Sequence, residues 1–280
     1  MPFTLTRAGA GQVFRRTARL ADRTWLTPGY LRLRLIGAQL RGFTSPGADD
    51  HIRLFLPAGA AESAGTADAA GRAAETTNGR AAETTNGRAA APQDAPSREL
   101  TPLAWDGTAG WLDLELVVHS GGLASDWAVG APLGSPVGVG GPRGSTVLDG
   151  TPDAWFLAGD ETAVPAIRRF VAAMPATATG RILVEVPDAD HELDIATPPG
   201  VRLDWVHRGH DAGRETPALV AALDAIDTGQ RPDGGVFGFV AGEQSVVSAG
   251  RALLHDRWRL PADQTIVKGY WKRVEESRLV

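Results

Sequence analysis

The first half of the chain alternates apolar and polar residues with a period of two, the pattern of a half-buried β-strand. Its clearest instance is YLRLRLI at 30–36, directly after the turn signal formed by Thr27, Pro28 and Gly29. The same alternation predicts strands over 13–25, 30–36, 51–56, 112–118 and 134–140. Several short strands separated by turns indicate an antiparallel sheet or barrel.

The second half has a different rhythm, in which short apolar runs alternate with segments of helical periodicity. Strands are predicted over 154–159, 181–186, 202–206, 236–241 and 265–269, and helices over 161–173, 216–225 and 244–257. Alternating strands and helices predict a parallel sheet built from right-handed crossovers. The predicted fold class is therefore an N-terminal antiparallel β-barrel, residues 1–150, followed by a Rossmann-like α/β domain with a parallel sheet, residues 151–280.

Residues 58–97 differ in composition from the rest of the first half. The octapeptide GRAAETTN occurs at 71–78 and again at 79–86, and large apolar residues are almost absent. A segment with so little to bury cannot offset the entropy lost on ordering, so the sequence predicts a disordered insertion in a surface loop. Because loop closure costs little more for a longer loop, deletion of residues 60–95 is expected to leave folding and cofactor affinity nearly unchanged.

Composition removes several classes of function. The 280 residues contain no cysteine, which excludes disulfides, thiol nucleophiles and cysteine-ligated iron–sulfur clusters. The net charge of -5 argues against a general affinity for nucleic acid or an anionic membrane. Residues 1–20 lack the apolar core of a signal peptide, and no stretch approaches the roughly 20 apolar residues of a membrane span. A monomeric cytoplasmic protein is expected.

Three turns join a predicted strand to a predicted helix and form candidate phosphate sites, because the free amides and the positive dipole end of a helix N-terminus attract anions. The first is HSGGLAS at 119–125, whose two glycines allow the backbone to approach a ligand. The others are GDET at 159–162 and AGE at 241–243. Ligands of open α/β sheets collect at the carboxyl ends of strands. The three turns together therefore indicate a dinucleotide site, although the GxGxxG fingerprint is missing.

The motifs also follow one another in the order of a known family. The turn HSGGLASDW is preceded by LTPGYLRLRLIGAQLRGF and ADDHIRLFLP and followed by GDETAVPAIRRF, AGEQSVVSAGRALL and VKGYWK. In this order they resemble the siderophore-interacting, ferric-siderophore reductase family of the ferredoxin–NADP reductase superfamily, over nearly the whole chain except 58–97. The resemblance implies FAD on the barrel, NAD(P)H on the α/β domain, and reduction of siderophore-bound Fe(III) with release of Fe(II). No side chain need act as a general acid or base, since the cofactors carry the redox chemistry.

The resemblance assigns site residues position by position. Contacts to FAD are expected at Arg98, Thr101, His119, Ser120, Gly121, Gly122, Ala124, Ser125 and Trp127. Contacts to NAD(P)H are expected at Gly159, Asp160, Glu161, Thr162, Arg208, Gly242 and Glu243, with Arg208 either near a 2′-phosphate or in solvent. Contacts to the ferric siderophore are expected at Trp271, Lys272 and Arg273, with Trp271 alternatively packed in the core.

The flavin signature departs from the family's pattern. The family has Arg-x-Tyr-Thr-x-Arg, whereas residues 98–103 read RELTPL. Arg98 and Thr101 match, but Leu100 stands at the tyrosine position and Leu103 at the second arginine position. An aromatic ring for the flavin and a bidentate phosphate donor are therefore missing, and weakened FAD binding is expected. Two alternatives stay open: a siderophore- or nucleotide-binding protein without tight FAD, and a reductase that serves a protein redox partner.

The remaining candidates indicate ordinary structure. His207 and His210 have an H-x-x-H spacing without an evident third ligand, so no metal site is predicted. His51 borders a predicted strand, where a cofactor contact and a structural role are equally compatible with the sequence. The adjacent carboxylates Asp49–Asp50 and Glu275–Glu276 are expected to be solvated.

Overall fold

The computed structural model describes residues 3–8, 14–57, 96–209 and 217–273. Its strands, in chain order, are β1 (Thr4–Ala8), β2 (Arg15–Thr27), β3 (Tyr30–Ile36), β4 (Ile52–Phe55), β5 (Ser97–Leu100), β6 (Pro102–Asp106), β7 (Trp111–Val117), β8 (Pro136–Gly140), β9 (Ser145–Asp149), β10 (Ala154–Asp160), β11 (Thr179–Val186), β12 (Gly200–His207), β13 (Val236–Glu243) and β14 (Thr265–Trp271). Its helices are α1 (Leu123–Gly130), α2 (Val164–Ala173), α3 (Ala218–Asp224) and α4 (Val246–Arg251), which continues as a π-helix over Ala252–Arg257.

The predicted barrel is a seven-stranded antiparallel sheet with the order β5-β4-β8-β2-β3-β7-β6. Its two edge strands, β5 and β6, follow one another in the chain and are separated only by Thr101. A sheet whose opposite edges are joined by one residue must curl, so the sheet forms a half-barrel with Thr101 at the seam. A separate antiparallel ribbon pairs β1 with β9.

The alternation of apolar and charged residues along β3 determines which face of the half-barrel is apolar and which is charged. Leu31, Leu33 and Leu35 are fully buried in its core. Arg32 and Arg34 point to the other face and form ion pairs with carboxylates of β7 at 2.6 and 2.7 Å. Successive side chains of a strand face opposite sides, so the period-two pattern fixes which face is apolar.

The second half forms a five-stranded parallel sheet with the order β12-β11-β10-β13-β14, as the alternating pattern predicted. All seven residues of the central strand β10 are buried. Leu157 belongs to the apolar cluster on the α2 side, and Phe156 to the cluster on the side of α3 and α4. Because the strands are parallel, their carboxyl ends lie along one edge of the sheet.

Charged side chains of α2 hold the two sheets together. Glu115 of β7 has a fully buried side chain and accepts a hydrogen bond from Arg168 Nη1 at 2.9 Å. Arg169 donates to the Ser45 hydroxyl at 3.2 Å and lies 4.9 Å from the centre of the Trp105 ring. These contacts set the position of the half-barrel against the parallel sheet, and so the shape of the space between them.

The predicted insertion ended too late. Ser97 opens β5, where it pairs with Phe55 of β4, and Leu56 N donates to Pro96 O at 2.9 Å. Ladder hydrogen bonds therefore hold this end of the segment, and residues 58–95 lie outside the described part of the chain. Among the described ranges, no helix has the length and apolar character needed to cross a bilayer.

The expectation that Asp49 and Asp50 are solvated is wrong, since they are only 5% and 2% exposed. Asp50 Oδ2 accepts hydrogen bonds from Gly47 N at 3.0 Å and from the Ser45 and Ser145 hydroxyls at 2.9 and 2.7 Å. A buried carboxylate needs such donors, and the serine at 145 comes from a distant strand. Glu275 and Glu276 lie outside the described residues.

Candidate functional site

A cavity of about 870 Å³ lies where the half-barrel meets the carboxyl ends of the parallel strands. Small-molecule sites usually have volumes of roughly 300–1,000 Å³. Its wall includes the turn before α1, the seam between β5 and β6, and the ends of β10, β13 and β14. The charged residues on this wall are Asp49, Arg98, Glu99, Glu115, Asp160, Glu161, Glu185, Arg208, Glu243, Lys268, Lys272 and Arg273.

The turn before α1 provides a backbone cradle on the half-barrel side. The buried Ser125 hydroxyl accepts a hydrogen bond from His119 N at 3.1 Å and ties the turn to the helix. Gly121 has a φ of 69°, a conformation that favours glycine. A Cβ at this position would meet no atom within 4 Å, so the backbone borders open space. The first amides of α1 follow directly, an arrangement suited to a phosphate group.

The seam carries the departure from the flavin signature. Arg98, Leu100 and Thr101 line the cavity. Leu100 is half-buried and packs against the apolar core of the half-barrel. Leu103 is not among the lining residues and lies at a bulge in β6, between two residues that pair with β7. The wall therefore presents an aliphatic side chain where the family has an aromatic ring.

Asp160 ends β10 and organises the opposite wall. Its buried carboxylate accepts hydrogen bonds at Oδ1 from Thr162 N at 2.9 Å and from the Thr162 hydroxyl, and at Oδ2 from Glu243 N at 2.9 Å and Trp271 Nε1 at 2.8 Å. The pKa of Asp160 is raised, because the effect of burial outweighs that of the hydrogen bonds from Thr162 and Trp271, which lower it. Asp160 thus joins the ends of β10, β13 and β14.

Two glycines allow the turns at the ends of β10 and β13 to pack closely against Asp160 and Ala163. Gly242 has a φ of 152°, and a Cβ there would lie 2.7 Å from Asp160 Oδ2. A Cβ at Gly159 would lie 2.4 Å from Ala163 Cβ. Any larger residue at either position would push the turns apart, so both glycines shape the wall from behind.

Arg208, which follows β12, is an ion-paired residue. Its Nη1 and Nη2 donate to the two carboxylate oxygens of Glu161 at 2.6 and 2.7 Å, and Nη1 lies 3.8 Å from Glu185 Oε1. Burial lowers the pKa of Arg208, but the hydrogen bonds and charge of Glu161 more than compensate and raise it. The alternative of a solvated arginine is therefore wrong, and the guanidinium has a fixed position on the wall.

The end of β14 completes the wall with an aromatic and two basic residues. Trp271 is 41% exposed, so the alternative that it packs in the core is wrong. Lys272 and Arg273 follow it and are exposed. Glu243 Oε1 accepts a hydrogen bond from Arg273 N at 3.3 Å, which ties this segment to β13.

Comparison with known proteins identifies the family. A family model described as the siderophore-interacting FAD-binding domain matches residues 19–146, and one described as siderophore-interacting protein matches residues 152–274. The NADPH-dependent ferric-chelate reductase of Escherichia coli strain K12 is 31% identical over 225 residues, which are 79% of each chain. The chain belongs to the siderophore-interacting protein family. The resemblance inferred from its motifs is confirmed.

Two further matches extend over almost the whole chain. Ferric vibriobactin reductase ViuB of Vibrio cholerae is 29% identical over 264 residues, 94% of this chain and 91% of that protein. The crystal structure of a siderophore utilization protein from T. fusca covers 97% of both chains with a TM-score of 0.77 and 29% identity. The predicted fold class, an antiparallel half-barrel followed by a parallel-sheet α/β unit, is that of the siderophore-interacting proteins.

Most site residues expected from the sequence line this one cavity, and four do not. Ser120 is exposed on the outer side of the turn, and Trp127 is 3% exposed within the core of the half-barrel. Gly159 and Gly242 lie behind the wall, next to the residues that form it.

Sequence reasoning missed several residues of the wall. Asp49, Glu115, Glu185 and Lys268 line the cavity. All four carry charge within or beside predicted strands, and a charge in an apolar strand is a usable signal. Glu115 and Glu185, for example, each interrupt a run of leucine and valine, in LDLELVV and ILVEV.

Of the remaining candidate histidines, one lines the cavity and one lies at the surface away from it. His51 lines the cavity just before β4. His207 Nε2 lies 2.9 Å from Glu192 Oε1 at the surface, and His210 lies outside the described residues. The described partner of His207 is therefore a carboxylate.

The residues present fit a flavin nucleotide at its phosphates better than at its ring. The turn at 119–125 supplies open backbone and a helix N-terminus, and Arg98 and Thr101 stand on the same wall. Leu100 offers only dispersion contacts to a ring. A siderophore-interacting protein with this wall can hold FAD, but Leu100 contributes less to binding of the isoalloxazine ring than an aromatic residue would.

Proposed function

We propose that this protein is an FAD-dependent NAD(P)H oxidoreductase that reduces Fe(III) held by a siderophore and releases Fe(II). The observation that carries the proposal is the shared cavity, in which the turn before α1 and the ends of β10, β13 and β14 face one space. Both family models match this chain, and two relatives bear the names ferric vibriobactin reductase and NADPH-dependent ferric-chelate reductase.

On the half-barrel wall, the residues proposed to hold FAD are the turn from His119 to Ser125, with Arg98 and Thr101 at the seam. When bound, FAD accepts a hydride and passes on single electrons. The protein's own contribution is to orient the bound FAD and to neutralise the charge of its phosphates. The amides and the Arg98 guanidinium counter phosphate charge, and Thr101 offers a hydroxyl at a nearly dry position, being 7% exposed.

On the parallel-sheet wall, the residues proposed to bind NAD(P)H are Glu161, Thr162, Arg208 and Glu243. Asp160 acts through them by fixing the positions of Thr162 and Glu243. The preassembled hydrogen bonds reduce the ordering cost of binding.

At the rim, Trp271, Lys272 and Arg273 are proposed to receive the ferric siderophore. Lys272 and Arg273 are exposed at the end of β14, where two positive charges attract an acidic chelate. The electron transfer itself requires proximity rather than a protein acid or base.

Leu100 favours a second candidate function, a siderophore- or nucleotide-binding protein without tight FAD. An aliphatic residue faces the cavity at the position where the flavin-contacting ring belongs. The two functions differ in one measurement. Calorimetric titration of the purified protein with FAD, and separately with a ferric siderophore, distinguishes a flavoprotein from a protein that binds the chelate alone.

The main proposal predicts a yellow protein or one that becomes yellow on addition of FAD. The bound flavin absorbance should bleach when NADPH or NADH is added under anaerobic conditions and return when a ferric chelate follows. Protein that remains colourless in excess FAD, yet binds the chelate, would establish the second candidate instead.

A further inference from the structure

The buried carboxylate of Asp49 joins the two walls of the cavity. Its side chain is 2% exposed and lies in the loop before β4. Oδ2 accepts a hydrogen bond from Lys268 Nζ and Oδ1 accepts one from the Tyr270 hydroxyl. Lys268 and Tyr270 are two residues apart on β14, so both side chains face the same side of the strand.

The three groups form one hydrogen-bonded chain along the cavity wall, and the chain ends at an exposed ammonium group. Thr101 lies on the same wall, and its side chain lowers the pKa of the Tyr270 phenol. Burial and the Asp49 charge have the larger, opposite effect and raise the pKa of Tyr270. At the other end, the Lys268 side chain is 43% exposed. The order of groups is Tyr270, Asp49 and Lys268.

The reaction under "Proposed function", on which this inference rests, leaves a proton behind. NAD(P)H gives up a hydride, which is two electrons and one proton. Each Fe(III) accepts one electron, so one NAD(P)H and two Fe(III) give NAD(P)+, two Fe(II) and one proton. This proton is released inside a cavity that lies between two sheets, and it must leave before the next turnover.

We propose that Tyr270, Asp49 and Lys268 form the route by which this proton reaches solvent. A proton taken up at the Tyr270 hydroxyl oxygen, on the cavity wall, displaces the phenol's own proton onto Asp49 Oδ1. Lys268 first releases a proton from its ammonium group to water and then takes the proton from Asp49, which returns to its charged form. Every group regains its starting state, so the route is catalytic and consumes nothing.

The other charged groups around this route are accounted for. Asp160, at the end of β10, adds negative potential at Tyr270, and Arg169 of α2 faces both Asp49 and Asp50. Asp50 is occupied by its two serine hydroxyls and Gly47 N. Asp49 is thus the carboxylate placed between the phenol and the exposed ammonium group.

The first test separates the two halves of the reaction in protein saturated with FAD. Tyr270→Phe keeps the ring and the Asp49–Lys268 ion pair but removes the relay hydroxyl. Anaerobic reduction of the flavin by NADPH is expected to stay within about twofold of the unmodified protein. Reoxidation by ferric citrate should slow about 100-fold, the lower end of the range for losing a positioned proton-transfer group, with a larger solvent deuterium isotope effect.

The matched control is Tyr30→Phe, which changes the only other tyrosine of the chain and should leave the reoxidation rate and isotope effect unaltered. Unchanged reoxidation in Tyr270→Phe would overturn the route. So would a slowing of both half-reactions with an unaltered isotope effect, since that is the signature of a merely structural contact. Failure of NADPH to reduce the flavin of the unmodified protein would instead reject the proposed function.

A second readout needs no cofactor. In Tyr30→Phe protein labelled at the tyrosine Cζ, NMR shows one signal, that of Tyr270. Donation to a carboxylate shifts this signal toward the phenolate position, so Asp49→Asn should move it back toward that of free tyrosine. The control Asp149→Asn, in the exposed partner of Thr6, should leave it in place. An unmoved signal in Asp49→Asn means that phenol and carboxylate are uncoupled, and the route is then wrong.

Discussion

The two walls of the cavity keep their shape by different means. On the parallel-sheet wall, Asp160 accepts four hydrogen bonds and Arg208 makes a bidentate ion pair with Glu161. On the half-barrel wall, the shape comes mainly from backbone: the glycine turn, the first amides of α1 and the seam at Thr101, with the Ser125 hydroxyl tying the turn to α1. The side chain of Arg98 donates to the carbonyl of its own neighbour, Ser97, at 2.9 Å. The parallel-sheet wall therefore depends on particular side chains, whereas the half-barrel wall depends mainly on backbone.

The largest effect is expected from breaking the network at its centre. Asp160→Ala leaves the partly buried amides of Thr162 and Glu243 and the Trp271 indole N–H without their acceptor. An unsatisfied buried group costs about 1–3 kcal/mol, so a loss of about 3 kcal/mol is expected. That corresponds to a fall in Tm of about 6–12 °C for a protein of this size. Thermal unfolding measures it, and the KM for NAD(P)H should rise because the wall is displaced.

Trp271→Phe is the matched control for that experiment. It keeps a ring on the wall and removes a single donor from Asp160, so less than about 1 kcal/mol of stability should be lost. If Asp160→Ala unfolds no more easily than Trp271→Phe, the four contacts are not the source of the wall's rigidity, and the contrast between the two walls disappears.

A smaller effect is expected from restoring what the half-barrel wall lacks. Leu100→Tyr places an aromatic ring on the cavity beside Thr101, and such contacts are worth about 0.5–1.5 kcal/mol. The Kd for FAD should therefore fall about 2- to 10-fold, measured by quenching of FAD fluorescence. Leu133→Tyr, at an exposed leucine that does not line the cavity, should leave the Kd unchanged. An equal gain in both variants would mean that the ring acts through non-specific contacts.

The fold was predictable wherever one segment carried its own signal. The alternation of YLRLRLI predicted a strand over 30–36, and β3 spans Tyr30–Ile36. The strands β5 and β6 were harder, because Pro102 and the bulge at Leu103 interrupt the alternation. The helix predicted over 244–257 was also only partly right: α4 ends at Arg251, and a π-helix follows.

The same distinction applies to the site. The turns at 119–125, 159–162 and 241–243 were predicted because a strand, a glycine and a helix start are adjacent in the sequence. Asp49 was misjudged because its partners are far away: Lys268 lies 219 residues further along the chain. Nothing local distinguishes a solvated aspartate from one that meets a lysine and a tyrosine across two sheets.

The smallest effect tests the electrostatics of the rigid wall, at Glu185. Burial raises the pKa of Glu185, although the hydrogen bond from Leu219 N and the charge of Arg208 lower it. The folded protein thus binds this proton more tightly than the unfolded chain, so stability falls as pH rises from the unfolded pKa through the folded one.

Glu185→Gln keeps an acceptor for Leu219 N and removes this pH dependence. Urea unfolding should show the variant equal to the unmodified protein near pH 4 and more stable at pH 7, by up to about 1.4 kcal/mol for each unit of pKa shift. Glu99→Gln removes a surface charge paired with Arg53 and should change stability by less than about 0.5 kcal/mol at either pH. A Glu185→Gln variant that is less stable at pH 7 would mean that attraction to Arg208 outweighs burial, and that this carboxylate strengthens the wall instead of straining it.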